Sequence, residues 1–234
     1  MYSIIPLLVA FTCFYANLTA APDPILARII KERLSSYPSE ATPEEKAALL
    51  SREIGQIAHE AKQNGMDLQS YVKQPPAGHA PSLCSEMVWE GRTEGIPLTF
   101  FIYTWPAEGA ARAIAPHSTL YRSNVHKHST SCAFTILQGS LVQENFSDVS
   151  GYTCNVARFE STDHLVEGDV EIDDLSSPSP FVHRLLCRDK QGKMSISLHA
   201  YGHPSEDQVL RSADAFTQKY AYPYELKKNR LMRL

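Results

Sequence analysis

The sequence predicts a mainly β protein, a β-sandwich or small barrel, with an α-helical segment in front of it. Three observations carry this expectation. From Leu83 onward, short runs rich in Val, Ile, Phe, Tyr and Thr alternate with clusters of Gly, Pro, Ser and Asp. That is the texture of many short strands joined by turns. Ahead of this point the apolar residues recur at helical spacing instead. Between the two lies QPPAGHAP, residues 74–81, whose prolines and glycine break both patterns and mark a linker.

The helical part reads as two stretches and a fragment. Ile25, Leu26, Ile29, Ile30 and Leu34 repeat along one helix face. Thr42-Pro43-Glu44-Glu45 then reads as a capping box, with Thr42 as N-cap, Pro43 in the first turn and Glu45 reaching back. The helix it opens carries Ala47, Leu50, Ile54, Ile57 and Ala61 on one face and stops at Asn64-Gly65. A short third helix is expected over residues 67–73. Strands are expected at residues 86–90, 98–105, 132–137, 140–146, 151–158, 170–172, 182–187 and 194–201. The connection at residues 106–123 is long for a hairpin. The organisation that follows is a leader at residues 1–20, a helical segment at 21–80, a barrel at 81–204 and a C-terminal extension at 205–234.

Composition narrows the class. Charged residues make up 21% and apolar residues 43% of the 234, and the net charge is −4. These values suit a globular protein and give no broad footprint for nucleic acid. The basic tail KKNRLMRL reads as a solvated end. MYSIIPLLVAFTCFYANLTA carries no charged side chain, and its apolar core has the length of a signal peptide rather than of a membrane span. Cleavage after Ala20 gives a secreted or periplasmic protein; an uncleaved leader leaves it cytoplasmic. Cleavage removes Cys13 and leaves Cys84, Cys132, Cys154 and Cys187. That even count permits disulfides, and no Cys-x-x-Cys zinc spacing occurs.

Chemistry concentrates in two stretches. In SNVHKHSTSCAFTILQGS, His126 and His128 stand two residues apart. On a strand they share a face and can bind one metal ion, although such pairs also occur on surfaces without metal. In SISLHAYG the strict alternation puts Ser197, His199 and Tyr201 on one face. A hydrogen-bonded relay through the three is natural there. On this segment alone, a half-buried strand with a capped histidine and a core tyrosine is the favoured reading.

The spacing from His128 to Cys132 and on to Gly139 resembles the first motif of the cupin superfamily, with Cys132 where that motif carries a Glu. PSPFVH, ending at His183, resembles the second motif, with Pro180 in place of its Gly and Cys187 in place of its closing Asn. HKHSTSCAFTILQGSL, PFVHRL and SISLHAYG together resemble the thiol dioxygenases, cysteine dioxygenase in particular, over residues 98–202.

This resemblance implies a cupin-type jelly-roll barrel in which His126, His128 and His183 bind Fe(II). It implies a relay of Ser197, His199 and Tyr201 that positions substrate and oxygen, and a thioether cross-link between Cys132 and Tyr201. The implied reaction converts a small thiol and O2 to a sulfinate, with cysteine first and 3-mercaptopropionate as the alternative. The absence of a metal-binding carboxylate suits a site whose anionic ligand arrives with the substrate. For the substrate carboxylate, an arginine after the relay tyrosine points to Arg211, with Arg92 as another candidate. A non-catalytic metal- or ligand-binding cupin and a different metal-dependent cupin enzyme are the competing readings. The expected partners are a small thiol and O2, with no nucleic acid and no membrane after processing, and the expected state is a monomer.

Overall fold

The computed structural model describes residues 24–35, 43–93, 96–127, 132–148, 157–173, 182–189 and 191–202. Two helices come first, α1 (Pro24–Leu34) and α2 (Pro43–Gln63). Leu26, Ile29, Ile30 and Leu34 form the buried stripe of α1, as their spacing predicts. The expected N-cap of α2, Thr42, lies outside the described residues. Its C-terminus does follow the sequence signal. Gly65 takes φ +82°, its N–H reaches the Lys62 carbonyl at 3.1 Å, and the Met66 N–H reaches the Ala61 carbonyl at 3.0 Å. This is a Schellman ending, which satisfies carbonyls the helix cannot use and needs a residue that tolerates positive φ. The expected third helix is a single 3-10 turn, Leu68–Tyr71, capped by the Asp67 side chain.

Among the described residues nine strands follow: β1 (Cys84–Thr93), β2 (Ile96–Trp105), β3 (His126–Lys127), β4 (Cys132–Gln138), β5 (Ser140–Asp148), β6 (Ala157–Val166), β7 (Val170–Asp173), β8 (Val182–Leu186) and β9 (Ser195–Gly202). They form two sheets, ordered β1-β2-β9-β4-β7 and β3-β8-β5-β6. β2 pairs with β9, β3 with β8, β4 with β7 and β5 with β6, all antiparallel. That nested set of pairs is one long hairpin rolled over on itself. It defines a jelly roll, and the fold is the cupin-type barrel the motifs lead one to expect.

One strand runs further than expected. The strand predicted at residues 151–158 coincides with β6 at Ala157 and Arg158, β6 continues to Val166, and residues 151–156 lie outside the described residues. β6 is an edge strand, and most of its side chains face water. Its ARFESTDHLV therefore lacks the apolar alternation that marks a strand in sequence.

Both faces of the first sheet are buried. Its outer face, with Leu98, Phe100, Ile102, Ala133, Leu137, Ile196, Leu198 and Ala200, shares one apolar cluster with the buried faces of α1 and α2. Its inner face meets the second sheet through Trp105, Phe134, Ile136, Leu141, Leu165 and Leu185. The long connection after β2 contains α3 (Glu108–Ile114). Through Ala111 and Tyr121 it packs on Val142 and Leu186, covering the outer face of the second sheet.

Gly139 makes the tight turn from β4 to β5 at φ +80°. A Cβ there would stand 2.7 Å from Ser195 Oγ and 3.2 Å from the Met194 carbonyl oxygen. Gly139→Ala is therefore expected to cost about 1–3 kcal/mol from backbone strain alone. A lowered urea midpoint with unchanged slope checks this.

Candidate active site

Two groups of side chains converge inside the barrel. The first is a pair of imidazoles. His126 on β3 and His183 on β8 are direct cross-strand partners, both buried, with their Nε2 atoms 3.2 Å apart. His126 Nδ1 lies 2.8 Å from the Asn124 carbonyl oxygen. A carbonyl only accepts, so Nδ1 carries the proton and the neutral ring keeps its lone pair on Nε2. His183 Nδ1 lies 3.3 Å from Gln143 Oε1, which sets the same tautomer. Two lone pairs facing each other at this distance repel unless a cation lies between them. Nitrogens about 2.0–2.1 Å from a shared metal ion can take this separation, so the donor set fits a metal. Among the described residues no set of three His, Cys, Asp or Glu side chains is grouped to hold a metal. His128, the remaining expected ligand, lies outside the described residues, as does Arg211.

The second group lies on the inner face of the first sheet. Cys132 on β4 is the cross-strand partner of Tyr201 on β9, and its thiol hydrogen-bonds the Tyr201 hydroxyl. The Tyr103 hydroxyl is 3.4 Å from that of Tyr201. Trp105 Nε1 donates to Ser197 Oγ at 2.8 Å, and Ser197 Oγ is 2.8 Å from His199 Nε2. Ser197 Oγ keeps a second lone pair and its own proton, so its contact with His199 Nε2 holds in either ring tautomer. The His199 ring stacks on Tyr201, with centroids 6.3 Å apart and planes at 20°. Phe134 lies between the two groups, 4.7 Å from the His199 ring and 6.3 Å from the His183 ring.

Burial pushes the Tyr103 phenol up to about 12, assisted by Cys132 and opposed by its bond to Tyr201. Burial, with Tyr103 and Cys132 beside it, pushes Tyr201 well above the usual phenol range. Tyr201 is the harder of the two to ionise, so it acts as a proton donor at neutral pH. An unfolded chain ionises both phenols near pH 10. Their raised folded values add stability that is complete below that pH and is lost as pH rises toward 12 and beyond. Alkaline unfolding is therefore expected to accompany phenolate absorbance, and Tyr103→Phe should move its onset to higher pH.

Several residues escaped the sequence reading. Tyr103 stands within FFIYTW, where an aromatic reads as core. Gln143, Glu171 and Trp105 gain their roles only through strand pairing. Glu171 on β7 is the cross-strand partner of Phe134. Burial pushes its carboxyl up, while a hydrogen bond from Gln143 lowers it and Asp163 and Asp169 raise it. Arg92 on β1 stands opposite Pro97, two residues from Thr99, the partner of Tyr201. Among the described residues Cys84, Cys132 and Cys187 form no disulfide, and Cys154 lies outside them. His59, His79, His117 and His164 are exposed.

No family model matches the chain, and no curated protein matches it. Solved structures do. A sugar phosphate isomerase of the cupin superfamily from Silicibacter pomeroyi is 15% identical, with 46% of this chain and 51% of that one covered and a TM-score of 0.28. The chain thus spans about half the length of that protein (51%). A cupin-like protein from Thermotoga maritima is 10% identical over 61% of this chain and 94% of its own, with a TM-score of 0.34. A hydroquinone 1,2-dioxygenase, solved with Cd2+ and 4-hydroxybenzonitrile, is 12% identical over 44% and 56%, with a TM-score of 0.29. The cupin-type assignment rests on the strand order of this chain.

Proposed function

We propose that the protein is a mononuclear iron thiol dioxygenase that converts a small thiol, cysteine first, to its sulfinate. His126, His128 and His183 would hold Fe(II), which when bound supplies the redox chemistry and the place where thiolate and O2 meet. One observation carries the reading: Cys132 and Tyr201 pair across adjacent strands with thiol and phenol in hydrogen-bond contact. They do so in the same barrel interior that brings His126 and His183 together. The balance is RSH + O2 → RSO2− + H+; sulfur loses four electrons and dioxygen gains them.

The protein's own groups divide the remaining work. Trp105 and Ser197 fix the His199 ring, and His199 stacks on Tyr201 and holds its plane. The Tyr201 phenol, kept protonated by burial, offers a hydrogen bond to the anionic substrate or product. Phe134, set between the two groups, narrows the space there. A Cys132–Tyr201 thioether would lose two hydrogens to O2 and remove one rotational freedom from the phenol. Arg92 and Arg211 are the candidate clamps for a substrate carboxylate.

The test is O2 consumption by iron-loaded protein against a panel of cysteine, 3-mercaptopropionate and cysteamine, with the sulfinate read by mass spectrometry. Uptake that requires a thiol, and one sulfinate per O2, supports the reading. Metal binding with no thiol-dependent uptake sinks it in favour of a non-catalytic cupin.

A further inference from the structure

His183 is oriented by a buried amide on the neighbouring strand. Gln143, buried on β5, places Oε1 3.3 Å from His183 Nδ1. With its oxygen toward the ring the amide can only accept there, and Nδ1 carries the hydrogen. His126 receives the same treatment from a backbone carbonyl, that of Asn124, which no side-chain substitution removes. For His183 the device is a side chain and can be taken apart.

We infer that Gln143 is a positioning residue for His183: its amide oxygen fixes the Nδ1–H tautomer and the ring plane, and so presents Nε2 toward His126. Outer partners of this kind raise the basicity of a ligating imidazole, and losing one typically weakens metal binding about 10–100-fold. The ligand part of the inference rests on the metal reading above; the tautomer part does not.

The experiment therefore has two readouts. Long-range 1H–15N correlation of the imidazoles in metal-free protein at about pH 8, where an ordinary imidazole is neutral, reports the tautomer. Wild type should show Nδ1–H at His183, and Gln143→Leu should shift it to a mixture or to Nε2–H. Anaerobic calorimetric titration with Co(II) should show affinity reduced about 10–100-fold in Gln143→Leu. Urea midpoints confirm that the variant remains folded. An Nε2–H tautomer at His183 in folded wild type overturns the inference. So does a folded Gln143→Leu with unchanged tautomer and unchanged Co(II) affinity. A tautomer that shifts in Gln143→Leu while wild type takes up no Co(II) upholds the positioning role and overturns the metal reading instead.

Discussion

Replacing Glu144 by alanine is expected to cost the fold about 3–5 kcal/mol. Glu144 on β5 and Arg184 on β8 are cross-strand partners on the outer face of the second sheet, and both are buried. Arg184 donates from Nε at 2.7 Å and from Nη2 to the same carboxylate oxygen, Oε2. Arg188 donates to the other oxygen at 2.7 Å. Nearby, burial and Arg184 together pull the Arg122 guanidinium below its usual range. One carboxylate therefore serves a cluster of three cations. Removing it leaves Arg184 charged, desolvated and repelled by its neighbours. Arg188 is half exposed and can turn to water; Arg184 cannot. The double variant Glu144→Leu/Arg184→Met should recover most of the loss, because a hydrophobic pair of similar volume replaces a buried ion pair at little cost. Urea unfolding of Glu144→Leu, Arg184→Met and the double gives the coupling. A Glu144→Ala loss under about 1 kcal/mol would show that the cluster relaxes into solvent, against the burial described.

The second large effect is expected at His183. His183→Ala removes one of two facing nitrogens and should weaken Co(II) or Fe(II) binding by more than about 100-fold, beyond the range of an outer-partner loss. Thiol-dependent O2 uptake should fall with it. The ring is buried, so the variant also leaves a cavity, and a stability check is needed. His126→Ala, at the other side of the same 3.2 Å contact, should give the same loss. His164→Ala, exposed on β6, should leave binding unchanged. Wild-type metal affinity in both His183→Ala and His126→Ala would remove the candidate centre.

How much of this was legible beforehand depends on what each feature needs. The strict alternation of SISLHAYG is a one-strand signal, and β9 lies where it was expected. The end of α2 was legible because Asn64-Gly65 carries its own geometry. The continuation of β6 from Phe159 to Val166 was not legible because an edge strand exposed on most of its length has no apolar rhythm. Tyr103, Gln143 and Glu171 act through neighbours on other strands, and a single sequence does not state which strands lie side by side. The two histidines on β3 and β8 were joined by motif resemblance, and their Cα register brings the pair together. The buried Glu144–Arg184 pair has no local signature at all: it exists only because β5 and β8 align.

The helices at the front of the chain also set a lower limit on what can be cut away. Their apolar stripes and the back of the first sheet fill a single volume, so a fragment starting at residue 81 would carry a bare greasy wall rather than a smaller working barrel. Such a fragment should go to inclusion bodies or stick to itself, and supplying residues 21–80 as a separate chain should return it to solution.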